Sequence, residues 1–164
     1  MVAVDFAQDG LADVSSGPIV CQNGPCTAFA APDVDGDGFD EIAVTVGSTG
    51  GSTMFDLYNG AGLQRLGFDC SNCSSGPFFW GGPGGHVEGA YCLPENAIGD
   101  FVIWSAEQTA NGDRYALAEV FLDVKGPFLS EVDQRDSFVA FDHSALPPGG
   151  GDDLCGSPVS ARSS

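Results

Sequence analysis

Three features of the sequence predict an all-β chain. Glycine and proline (24 and 10 of 164 residues) are spread along its whole length, so short strands and tight turns fit where long helices do not. Apolar residues come in short runs bounded by Gly, Asn or Ser, as in Ile42–Val46 and Val87–Cys92. A unit also recurs. Glu41–Thr45 aligns with Asp100–Trp104 at an offset of 59, and the turn Asn59–Gly62 aligns with Asp123–Gly126 at an offset of 64. A period of that length is typical of propeller blades and other stacked sheets. The expected architecture is two propeller-blade-like antiparallel sheets, or a β-sandwich. Two blades cannot close a propeller. Either the chain is part of a longer one, or other copies complete it, or its sheets pack face to face.

The elements follow in order. Residues 1–26 form an N-terminal strand and lead-in, with Val2, Val4 and Phe6 alternating as an edge strand. The first repeat spans 27–77. It contains a short strand at Thr27–Ala30, an acidic loop running into Ile42–Val46, and a hairpin of Met54–Tyr58 with Leu63–Phe68. Residues 69–85 read as loop. A second, degenerate repeat spans 78–142, with strands expected at Val87–Cys92, Asp100–Trp104, Arg114–Val124, Phe128–Val132 and Phe138–Phe141. Arg114–Lys125 fits a helical period as well as an alternating one, and the repeat assigns it to strand. Residues 143–164 are a Gly/Pro/Ser-rich C-terminal tail, held in place only if Cys155 is bonded.

Five Lys+Arg against 23 Asp+Glu leave a formal charge of −18. That field repels phosphate backbones and anionic bilayers, so nucleic acid and membrane insertion are not expected. No apolar run approaches the ~20 residues of a membrane-spanning helix. Six cysteines (Cys21, Cys26, Cys70, Cys73, Cys92, Cys155) in a small acidic chain predict disulfides and an extracellular or cell-surface location. Sequence alone leaves the connectivity open, and the favoured pairing is Cys21–Cys26, Cys70–Cys73 and Cys92–Cys155. A zinc site would need a second CxxC beside Cys70/Cys73, and Cys21/Cys26 has the wrong spacing. The opening MVAVDFAQDG has no basic region or long apolar core, so no signal peptide falls within this numbering.

One motif carries specific chemistry. In Asp33-Val-Asp-Gly-Asp-Gly-Phe-Asp-Glu, alternate carboxylates aim at one centre, as a hard cation with six to eight oxygen ligands requires. Asp33, Asp35 and Asp37 take positions one, three and five. Gly38 permits the sharp turn, Phe39 offers its carbonyl, and Glu41 adds a carboxylate at position nine. A helix–loop–helix calcium site needs Glu at position twelve, which holds Val44, and the residues from Ile42 onward are strand. Ala31-Pro-Asp-Val-Asp-Gly-Asp-Gly-Phe-Asp-Glu-Ile-Ala-Val resembles the calcium loop and following strand of FG-GAP (integrin α-type) repeats. MFDLYNGAGLQRL resembles the outer hairpin of such a blade, and the likeness covers residues 27–68. It implies bound calcium at a blade edge, with Asp33, Asp35, Asp37, Phe39 and Glu41 as ligands. At the offset of 59 the second block has Cys92, Pro94, Asn96 and Ala97 in place of Asp33, Asp35, Asp37 and Gly38, so it is not expected to bind calcium.

Other candidates carry less. Phe78, Phe79 and Trp80 form either a ligand patch or a plug between repeats. His86 and Glu88 share a strand face, where an acid/base pair is conceivable, although a surface histidine is the plainer reading. No nucleophile elbow is present, and Gly81–Gly85 lacks the Lys-Ser/Thr of a phosphate loop. The expected protein is a calcium-stabilised, non-enzymatic extracellular module. Its expected role is a self-assembling structural subunit, as a homo-oligomer or as part of a longer chain. The alternative is an adhesion or lectin-like module for carbohydrate or an extracellular protein, and a hydrolase is the weakest reading.

Overall fold

The computed structural model describes residues 1, 3–4, 14–22, 25–60, 62–68, 77–95, 97–149 and 153–159, with backbone alone at 3, 4 and 14. Strands dominate the described residues, and the only helical element among them is a single 3-10 turn at His143–Ala145. In chain order the strands are β1 (Ala3–Val4), β2 (Val14–Ser15), β3 (Thr27–Ala30), β4 (Ile42–Thr49), β5 (Ser52–Tyr58), β6 (Gly67–Phe68) and β7 (Phe78–Gly81). They continue as β8 (His86–Cys92), β9 (Phe101–Gln108), β10 (Arg114–Lys125), β11 (Phe128–Ala140), β12 (Asp153–Leu154) and β13 (Ser157–Pro158). The chain is all-β, as expected, and its packing is sandwich-like.

The two halves are hydrogen-bonded into one sheet of nine strands, in the order β3-β4-β5-β7-β8-β9-β10-β11-β6. Only the β11–β6 edge is parallel. The join is β7, which pairs with β5 from Ser52↔Gly81 to Phe55↔Phe78. In the sequence, residues 78–81 read as part of a loop. Glycines on the C-terminal side of β7 and its four-residue length hide its period. The sheet curls. After β5 the chain turns at Asn59, bridges back on Tyr58 through Arg65, and then pairs as β6 with Phe128 and Leu129 of β11. The middle of the first half is thereby tied to the far edge of the second.

Inside the curl, Phe29, Phe55, Leu57, Phe78, Trp80, Phe101, Leu122 and Leu129 form one core. Phe55 stacks on Phe29 at 5.1 Å between centroids, and Phe78 meets Phe101 edge-on at 6.1 Å. Each such ring contributes roughly 1.5–3 kcal/mol of burial. The core takes residues from both halves, so neither half buries its face alone.

The strand assignment of Arg114–Lys125 holds, because β10 is paired on both sides, with β9 and β11. The two segments expected at Phe128–Val132 and Phe138–Phe141 are one strand. The polar stretch between them is exposed, and pairing to β10 carries the strand through. The tail is pinned. Leu154 is fully buried in the core, Cys155 is bonded to Cys92, and Ser157 Oγ accepts the Ala31 N–H at 3.0 Å. Upstream, Trp104 donates to the Pro148 carbonyl at 2.9 Å, and Gly149 accepts from Ala90 at 2.8 Å. Cys21–Cys26 is also bonded. Val2, Phe6, Cys70 and Cys73 lie outside the described residues.

Candidate metal centre

The acidic loop leaves β3 and returns at β4. Glu41 N–H donates to the Pro32 carbonyl at 2.6 Å, which closes the excursion at its base. Gly36 and Gly38 take φ of 73° and 89°, a conformation that side chains with a Cβ rarely adopt, and the loop bends at both. These bends bring Asp33, Asp35 and Asp37 together: one carboxylate oxygen from each lies within 4.8 Å of the others. Loop amides hold the carboxylates in place. Gly38 N–H donates to Asp33 Oδ2 (3.2 Å), Asp37 N–H to Asp35 Oδ1 (3.1 Å) and Phe39 N–H to Asp37 Oδ1 (2.8 Å).

Glu41 stands apart from that triad. Its side chain is buried, and its two oxygens accept the Val34 N–H at 2.8 Å and the Gly60 N–H at 3.4 Å. It therefore ties the loop to the β5–β6 turn. A Cβ at Gly60 would run into the Asp40 carbonyl, so the turn and the loop touch backbone to backbone. The Phe39 side chain is half exposed, and its N–H is the donor that holds Asp37.

Electrostatics mark the same place. Burial pushes the Glu41 carboxyl up to about 7, against its two backbone donors, and the charges of Asp35 and Asp37 add to the rise. Burial also raises Asp35. The Asp37 N–H opposes that rise, while the charges of Asp37, Asp33 and Asp100 reinforce it. A cation here would relieve both groups.

In the sequence Asp100 reads only as the start of a strand. It belongs to the segment facing the loop across a cleft of about 180 Å³, lined by Asp33–Gly36 on one side and by Cys92, Pro94, Glu95 and Asp100 on the other. Its Oδ2 accepts the Val124 N–H at 2.8 Å. The repeat alignment paired these two segments in sequence without indicating that they face each other.

The aromatic trio does not form one surface. Phe78 and Trp80 are buried in the core, and Phe78 also lines, with Phe79, an apolar cleft of about 280 Å³ beside Phe68, Ile103, Ala118 and Val120. His86 does share a face with Glu88. Its Nε2 lies 3.3 Å from Glu88 and its Nδ1 lies 2.6 Å from Glu107 on the neighbouring strand. No helix among the described residues is long and apolar enough to cross a membrane. Comparison with known proteins finds no matching family model and no significant match among curated proteins or solved structures.

Proposed function

We propose that this chain is a calcium-stabilised, non-enzymatic extracellular module that assembles with copies of itself. The observation that carries the metal is the convergence of Asp33, Asp35 and Asp37 in a loop already shaped by its own amides. Oxygen-only donors on a short loop suit a hard cation such as calcium, and the likeness to FG-GAP repeats points the same way. The three carboxylates would hold the ion. Glu41 positions the loop from beneath, and the bound charge would offset the crowding of these acids. Two disulfides fit an oxidising compartment.

Thermal melting in millimolar calcium and in chelator tests the reading. Calcium raises the Tm, and Asp35→Ala removes most of the rise. Equal melting in both solutions ends it. An adhesion or lectin-like role is the second reading. It draws on the apolar cleft beside Phe79, where Glu88 and Ser105 supply polar groups, and retention on a glycan array tests it.

A further inference from the structure

We infer that β11 is the assembly edge, and that two copies pair antiparallel through it about a two-fold axis centred on Gln134. The inference rests on the self-assembly reading above and names its surface.

Among the described residues β6 covers this edge only at Phe128 and Leu129, so Ser130–Ala140 is paired to β10 on one side, with a bulge that leaves Val132 unpaired, and has no strand on the other; the stretch clear of the bulge that can form a two-fold ladder about Gln134 is Asp133–Arg135. Such an edge is a template for another strand. Gln134 gives its N–H to the carboxylate of its own neighbour, Asp133 (Oδ1, 3.0 Å), which marks it as an outward-facing group of the edge. Arg135 also turns back on Asp133, Nε to Oδ2 at 3.0 Å, and lies 4.3 Å over the Phe121 ring. The edge therefore satisfies itself locally with groups that a second strand can replace.

Charge selects the partner and the register. In a two-fold antiparallel pair, outward-facing residues oppose outward-facing ones, so the axis passes through a residue. Centres on Asp133, Arg135 or Asp136 put identical charges face to face, which is destabilising. A centre on Gln134 sets Asp133 opposite Arg135 of the second copy, twice, with the two Gln134 backbones bonded between them. The Gln134 register thus opposes unlike charges at the middle of the edge, where the registers centred on Asp133, Arg135 and Asp136 oppose like ones.

The test is a charge exchange. Sedimentation at physiological ionic strength should show wild type dimerising with concentration. Asp133→Arg and Arg135→Asp should each be monomeric, because each sets like charges opposite one another. Mixed one to one, the two variants should recover dimer, since every facing pair is again opposite. Gln134→Pro removes the outward N–H without altering charge and should also be monomeric. Circular dichroism and calcium-dependent melting of each variant confirm that the fold is kept. A wild type that stays monomeric overturns both this inference and the self-assembly reading. Wild-type assembly that survives the single variants, or variants that fail to recover on mixing, overturns the β11 register and leaves self-assembly standing.

Discussion

Residues 33–41 and 92–100 do the same job by different means. Each leads into an apolar strand, β4 or β9, and each must hold a short irregular stretch against the end of the sheet. The first carries three carboxylates, two glycines at positive φ and a buried Glu41 beneath them. The second has a cysteine where the first has Asp33, and is closed by Leu93 N–H to the Asp100 carbonyl (2.8 Å) and by the Cys92–Cys155 bond. One side gathers three carboxylates and the other carries a covalent tie. Because the two line opposite walls of one cleft, fixing either fixes part of the other's surroundings. Two stretches at matching places in the chain are thus held by different constraints.

Breaking the covalent side should have the largest effect. The Cys92–Cys155 bond has a sequence separation of 63, and a loop of that size corresponds to about 4 kcal/mol in the chain-entropy model. Cys92→Ala/Cys155→Ala should lose that much in denaturant melts. It should also bind calcium more weakly by titration calorimetry, because the tail holds Ala31 two residues before the loop. Unchanged calcium affinity would show that the two walls are independent.

Calcium removal comes next. At roughly 100-fold excess over its dissociation constant, a ligand of the native state adds about 2.7 kcal/mol. Chelation of wild type should remove that increment, whereas Asp35→Ala should be nearly indifferent to chelator. Gly60→Ala should cost about 2 kcal/mol by forcing the turn away from Asp40, with a matching loss of calcium affinity. A stable variant with full affinity would mean that the loop does not need the turn beneath it.

The smallest effect concerns charge alone. Asp100→Asn keeps an acceptor for Val124 and removes a negative charge that bears on Asp35. In chelator it should stabilise by less than about 1 kcal/mol, with the gain fading in salt. In calcium it should weaken binding slightly. Melting curves at two ionic strengths check both.

Much of this was legible in advance where a residue type has one physical use. Alternate aspartates with interleaved glycines indicated the acidic loop, and the strands β3, β4, β5, β8, β9 and β10 showed in their apolar runs. The Cys92–Cys155 bond matches the pairing favoured from the sequence. What escaped was set by partners far away in sequence. Phe78–Gly81 becomes a strand because β5 offers an edge, and Leu154 is core because Cys155 brings the tail there. Arg135 and Asp136 fall between the two strands expected from the sequence, yet they lie in one strand that β10 carries through. Glu41 was read as a ligand from its position in the loop, and its bonds to Val34 and Gly60 depend on a turn that the motif does not contain.

The route to this structure should be slow. The Ala31–Ser157 hydrogen bond spans 126 residues, and β6 meets β11 only after the whole intervening sheet exists. Chains dominated by such distant pairings fold in roughly milliseconds to seconds, because loop closure precedes the contacts that reward it. Residues 27–30 and 42–58 can assemble locally as a meander. Seating Leu154 requires β8 to be in place. Oxidation of Cys92 with Cys155 is therefore a late event, and a reduced chain that already has its β-structure should lack the protection against hydrogen exchange that comes with the seated tail.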